Sequence, residues 1–206
     1  MIKNILLIMP NIENGGIEKN LLLLSSYLIQ NSKVTIVCAE ISNEIKNSLD
    51  TKIKLVVAKK YLNFNLFSRR IINTINSFLE ILYKRKKIID DKTIILSLQN
   101  HPFPILLSKV LNKKIIIRIA NHPHSSLKFF NNYMIFFVKI FIKIFFYKFA
   151  NGIICNSNSS KEFLKKYLPR NSIITIFNPL FYENKIISNK LRKNLLTVGR
   201  LENQKN

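Results

Sequence analysis

The chain has 206 residues, 48% of them hydrophobic, with 33 Lys and Arg against 11 Asp and Glu and a formal net charge of +22. That length fits one domain, or one domain with a fragment of another, and is enough to bury a substantial core. The only cysteines, Cys38 and Cys155, each lie in or at the end of an apolar run, which excludes zinc spacing and reads as two buried thiols in a reducing compartment.

The elements alternate along the chain. Ile2–Met9 is an almost continuous apolar run, the mark of a parallel strand buried on both faces. It is too short for a signal peptide, and Pro10 stops it. Ile17–Gln30 carries apolar residues at Ile17, Leu21, Leu24 and Leu28, a helical spacing. Lys33–Cys38 and Ile53–Val57 read as strands, Leu66–Tyr83 as a partly amphipathic helix, and Thr93–Leu98 as a strand. Then come a short helix at Ile105–Leu111, a strand at Lys114–Ile119 and a strongly apolar helix at Phe136–Phe149. Gly152–Cys155 (strand), Ser159–Tyr167 (helix) and Ile173–Phe177 (strand) follow. This order predicts an α/β fold: a Rossmann-like parallel sheet with helices on both faces. Asn178-Pro179 breaks the pattern. Residues 1–180 are therefore expected to form one domain, 181–194 a linker, and 195–206 the start of a second domain.

The lysines are dispersed apart from one dense run, Lys84–Lys87. Compositional bias is the first reading of the charge, with some attraction to anionic surfaces beside it. The segment FFVKIFIKIFFYKF, Phe136–Phe149, is too short in its apolar stretches to span a bilayer. Lys139 and Lys143 are four apart and share a helix face. Either the helix packs on the sheet with these lysines snorkelling outward, or it dips Phe and Ile side chains into a membrane interface. The second reading implies salt-sensitive binding to anionic vesicles, lost when Lys139 and Lys143 are both changed to Glu.

Rare residues mark corners. Of four glycines, Gly15, Gly16 and Gly199 lie at strand-to-helix corners, on the carboxyl edge where α/β sheets take ligands, and Gly152 opens a strand. Glycine admits close backbone approach, and a helix N-terminus offers N–H groups to an anion. The corner PNIENGGIEKN is neither a dinucleotide fingerprint nor a P-loop, and by itself it is equally an ordinary turn. His101, in SLQNHPFP, and His122 and His124, in RIANHPHSS, all follow strands and fall on the same edge. They point to a polar cleft in which a histidine donates hydrogen bonds or moves protons. No carboxylates accompany them at ligand spacing and Asp-x-Asp is absent, so no metal site is expected.

The ordered set GGIEKNLLLLSSYL, IICNSNSSKEFL, IFNPL and LLTVGRLENQK resembles the GT4-type retaining glycosyltransferases (glycosyl transferases group 1), over essentially the whole chain. GRLENQK is the sharpest piece. The resemblance implies the two-domain GT-B fold and a nucleotide-sugar donor, without a cofactor or a metal. It implies that Gly15 and Gly16 approach the donor phosphates or the acceptor, and that Arg200 and Lys205 bind the donor diphosphate. Two fixed cations and a helix N-terminus would stabilise the charge that develops on the leaving diphosphate. Family members carry a cleft histidine after the strand matching Lys114–Ile119. His122 takes that catalytic place here, with Asn121 and His124 as alternatives and no acidic neighbour. Glu18, Asn100, His101, Arg118, Asn121, His124, Ser157 and Asn178 are assigned to the acceptor side or the cleft. For Ser157 and Asn178, helix capping and a turn before proline are equally good readings.

The family's nucleotide pocket, with its E-x7-E glutamate pair, belongs to a second domain that this chain has only entered. The expectation is the acceptor-side part of a cytoplasmic transferase, peripheral on the inner face of the cell membrane. It would build a cell-surface glycan such as lipopolysaccharide on a lipid-linked or polysaccharide acceptor, and by itself would be inactive. Two alternatives stand beside it. One is the non-catalytic half of a split transferase. The other is a basic α/β domain that binds membranes or, weakly and without sequence preference, nucleic acid.

Overall fold

The computed structural model describes residues 3–13, 15–62, 68–99, 101–122 and 133–178, with backbone only for residues 3, 133–137 and 139. The expected linker and the start of a second domain, including Arg200 and Lys205, lie outside the described residues, as do Asn100 and His124.

Seven strands make one parallel sheet: β1 (Lys3–Ile8), β3 (Ser32–Cys38), β5 (Lys54–Val57), β6 (Thr93–Ser97), β7 (Lys114–Ile119), β8 (Gly152–Cys155) and β9 (Ile173–Thr175), in the order β5-β3-β1-β6-β7-β8-β9. Registers such as Ile5↔Val34 and Ile5↔Ile94 seat the apolar runs side by side. Successive residues then feed opposite cores. Leu6 and Ile8 join one cluster, whereas Leu7 and Met9 join the other. This explains why β1 is apolar at every position from Ile5 to Ile8 rather than alternately.

From β1 the chain moves toward β5 and then returns to build β6 through β9 on the other side. Right-handed crossovers running in opposite directions place their helices on opposite faces. Accordingly α1 (Gly16–Leu28) and α2 (Asn43–Ser48) pack on one face. On the other lie α3 (Arg69–Tyr83), the single turn α4 (Arg85–Ile88), α5 (Pro102–Val110), α6 (Tyr133–Tyr147) and α7 (Asn158–Tyr167). The run Lys84–Lys87 is thus mostly α4, which anchors itself by burying Ile88. Helix α5 begins earlier than its apolar spacing indicates, because Pro102 suits the first turn. It stops at Asn112, whose φ of 50° is a left-handed conformation that asparagine tolerates. The expected last strand, Ile173–Phe177, ends at Thr175. Cys38 and Cys155 are free and buried, and burial pushes their thiols up to about 12 and about 11.

Besides the short helices α2 and α4, two features were not read from the sequence. A two-stranded parallel ribbon, β2 (Asn11–Ile12) with β4 (Glu40–Ile41), extends the carboxyl edge beyond β1 and β3. Helix α3 also turns a polar stripe inward: Asn73, Thr74, Asn76, Ser77 and Glu80 are buried, while Ile71 and Tyr83 are exposed. The stripe supplies partners for the backbone that follows β5. The Lys59 N–H and the Tyr61 hydroxyl donate to Glu80 Oε2 at 3.1 and 2.7 Å, and the Leu62 N–H donates to Asn76 Oδ1 at 2.9 Å. Asn73 donates to Asn11, and Arg69 ion-pairs with Glu40 at 2.7 Å. These bonds fasten the end of β5 and the ribbon to one helix.

Burial alone would raise the Glu80 carboxyl. The hydrogen bonds from Lys84, Tyr61 and the Lys59 N–H, together with the Lys84 charge, outweigh burial and hold it below its ordinary value of 4.5. Its stabilising effect is therefore present above that value and is lost as pH falls through the lower folded value. Changing Glu80→Ala should lower the unfolding free energy at neutral pH by about 2–3 kcal/mol, since Lys59, Tyr61 and Lys84 lose their acceptor. Urea unfolding of both proteins should show this difference shrinking below about pH 4.5.

Candidate functional site

A parallel sheet sends every strand out at one edge, so the segments after β1, β6, β7, β8 and β9 share that edge. The strand order reverses direction between β1 and β6, where open α/β sheets form their crevice. Gly15 and Gly16 follow β1, and Gln99 and His101 follow β6, so these segments flank the switch point.

Gly15 is extended (φ −163°, ψ −175°) and caps α1 without a side-chain hydrogen bond. Neither its φ nor any other described glycine's φ is positive, so the backbone does not demand glycine here. A Cβ added at Gly16 would meet nothing within 4 Å. The corner therefore offers open space above an uncapped helix N-terminus, the arrangement that accepts an anion. Glu18 lies in the first turn of the helix and is largely buried.

Arg118, near the end of β7, is 9% exposed. Its Nη2 donates to Asn178 Oδ1 at 2.7 Å, across 60 positions of sequence. Desolvation lowers its pKa from the ordinary value, yet an arginine at neutral pH stays charged. Among the described residues no carboxylate pairs with it. A cation held this way, beside a neutral amide only, is equipped to meet an anionic ligand.

The histidines diverge. His122 is half-buried, with its ring against Phe163 of α7 (centroids 5.2 Å apart), and Asn121 beside it is exposed. His101 is turned inward. It is 7% exposed, its Nδ1 lies 2.9 Å from Ser97 Oγ, and its ring meets the Tyr147 ring at 5.8 Å with a T-shaped tilt. Burial, then the positive charge of Lys143, pushes it down to about 3, against a backbone hydrogen bond to Arg118 that favours the proton. His101 is thus a neutral brace between the β6 corner and β7 rather than a group that titrates near neutrality. Ser157 caps α7, its Oγ accepting from the Ser160 N–H at 3.3 Å. The structure therefore brings Arg118 and Asn178 into contact and braces His101 against the Arg118 backbone. It places Gly15, Gly16, Glu18, Asn121, His122 and Ser157 along the same edge. Sequence reasoning missed Ser97 and Asn11, although each follows or ends a strand at that edge.

Among the described residues no group of His, Cys, Asp or Glu could hold a metal ion, and no helix is long and apolar enough to cross a membrane. A cavity of about 440 Å³ opens elsewhere, near the amino ends of β7 and β8, lined by residues that include Ile94, Lys114, Ile116, Gly152 and Ile174. It lies at the other end of the strands from the glycine corner.

No protein-family model matches the sequence, and no curated protein matches it. Solved structures do share its fold. Sucrose-phosphate synthase from Thermosynechococcus elongatus superposes with a TM-score of 0.62 at 8% identity, over 85% of this chain and 48% of that one. UGT2 of Phytolacca americana, complexed with UDP-2fluoro-glucose and pterostilbene, gives 0.59 at 10% identity, over 89% and 55%. HepE of Anabaena, in complex with UDP and glucose, gives 0.56 at 14% identity, over 86% and 45%. The chain spans about half the length of these structures. Its fold is one Rossmann-like half of the GT-B architecture they share.

Because His101 is neutral when folded and has an ordinary value of 6.5 when unfolded, the unfolded chain takes up its proton first. Stability should be fully present above about pH 6.5 and fall on acidification, by up to about 1.4 kcal/mol per pH unit. Denaturant titrations between about pH 7 and 4.5 should show this slope, and a His101→Gln variant should flatten it.

Proposed function

We propose that the chain is the acceptor-side, N-terminal part of a retaining GT4-type glycosyltransferase, using a nucleotide-sugar donor and no metal. The observation that carries this reading is the fold shared with GT-B glycosyltransferases. The UDP, UDP-glucose and UDP-2fluoro-glucose bound in such structures favour a nucleoside diphosphate sugar as the donor. The carboxyl edge supports the same chemistry. The start of α1 with the space above Gly16, and Arg118, which has no carboxylate partner among the described residues, give two positive elements for a diphosphate and its developing charge. In this reading Arg200 and Lys205 add their charges from the second domain. His122 faces the reacting groups, while Glu18, Asn121 and Asn178 line the acceptor side. The acceptor is a lipid-linked or polysaccharide glycan at the inner face of the membrane, as expected for cell-surface glycan synthesis.

A nucleotide pocket divided between two domains leaves one half unable to catalyse. The purified 206-residue chain should transfer no radiolabelled sugar from a nucleotide-sugar to membrane-extracted acceptors. Joined to the sequence encoded directly downstream, which should carry E-x7-E, it should transfer. His122→Ala in the joined protein should then lower kcat by roughly 10²–10⁴. Transfer by the 206-residue chain alone, or a downstream sequence lacking a second α/β half, would contradict the proposal.

A further inference from the structure

Helix α6 has two unlike faces. One is anchored: Tyr147 is buried beside His101, with Ile144 and Phe146 packed against the core. Lys143 is half-buried, and its positive charge acts on the His101 ring. The opposite face carries Phe141, Phe145 and, just past the helix end, Phe149, spaced by four residues and exposed by 72%, 47% and 37%. Val110 of the neighbouring helix α5 is also exposed, by 67%. Clustered exposed apolar side chains of this kind mark an interaction site.

Its cations are placed among the rings. Lys148 Nζ lies 5.8 Å from the centroid of Phe145 and 5.6 Å from that of Phe149. Lys109 Nζ, from α5, lies 5.6 Å from the Phe149 centroid. Phe145 and Phe149 meet edge to face at 5.4 Å. No acidic residue answers these cations locally: residues 92–161 contain ten Lys or Arg and no Asp or Glu. Apolar rings interleaved with lysines, in a stretch of sequence without Asp or Glu, match a surface that is oily within and negatively charged outside. They fit a second copy of this chain poorly, because a self-complementary contact would press Lys109 and Lys148 against their own counterparts. Both helices follow strands and so run from the carboxyl edge toward the amino edge, which puts the patch on the flank of the domain and leaves the cleft open.

We propose that the α5–α6 face docks on an anionic lipid bilayer, with Phe141 and Phe145 entering the interface and Lys109 and Lys148 meeting lipid phosphates. This deepens the membrane-associated reading above and rests on it, but it needs no sugar transfer. The test is co-sedimentation of the 206-residue chain with phosphatidylcholine vesicles, with and without one-third phosphatidylglycerol. The wild-type chain should bind the anionic vesicles, and binding should weaken as salt rises from about 0.1 M to about 0.5 M. Lys109→Ala with Lys148→Ala should weaken binding about thirty-fold, a factor of about five for each lysine. Phe141→Ser with Phe145→Ser should weaken it at both salt concentrations. These side chains are exposed, so circular dichroism should show all variants folded. Absence of wild-type binding, or equal binding by the variants, overturns the proposal. So does a dimer that Phe141→Ser dissociates while vesicle binding is unchanged. Vesicle binding by a protein that transfers no sugar even when joined to its downstream sequence would sink the transferase reading and leave this face standing.

Discussion

All seven strands of the main sheet run the same way. That single constraint decides where everything else lies. A parallel sheet buried on both faces needs long crossovers, and the crossovers supply helices for both cores. It also delivers every strand end to one edge. The glycine corner, Arg118, His122, Ser157 and Asn178 are far apart in sequence and share that edge for no other reason. The reversal of strand order between β1 and β6 then sets a crevice beside Gly15 and Gly16.

The edge is stiffened by buried polar groups rather than by apolar packing alone. Helix α3 buries Asn73, Asn76 and Glu80 because the ribbon and the segment after β5 present backbone and side-chain groups that need partners there. His101 works similarly on the other side of the switch point. Its neutral ring joins Ser97 to the backbone of Arg118, whose guanidinium holds Asn178. Arg118 is thereby fixed at both its backbone and its side chain. A cation positioned before its ligand arrives loses little freedom on binding, the condition for effective electrostatic stabilisation.

Most of this fold was legible in the sequence, because buried parallel strands are continuous apolar runs and their helices repeat at i, i+4 and i+7. The strands at Lys114–Ile119 and Gly152–Cys155 occupy the expected residues. The β2–β4 ribbon was not legible, since two residues per strand carry no periodicity. Helix α2 is a single short segment, signalled only by its Ser42 cap. The roles of His101 and Lys143 depend on a contact between helices α5 and α6, about forty residues apart, which local pattern does not encode. The polar inner stripe of α3 lies beside its apolar contacts (Ile81, with Phe78 and Leu82 packed on the core), and the backbone it serves explains it. Glycine placement drew attention to the corner after β1 through backbone freedom, which the structure does not require there. The structure shows open space at Gly16, not a left-handed turn.

The central claim is that the carboxyl edge, not the cavity at the amino ends of β7 and β8, receives the diphosphate of a nucleotide-sugar. Amide chemical-shift mapping of the 206-residue chain titrated with UDP-glucose tests it most directly. The account predicts weak, saturable shifts centred on Gly15–Lys19 and Arg118–His122, abolished by Arg118→Ala. Shifts confined to the surroundings of Lys114 and Gly152, or none at saturating ligand, would contradict it.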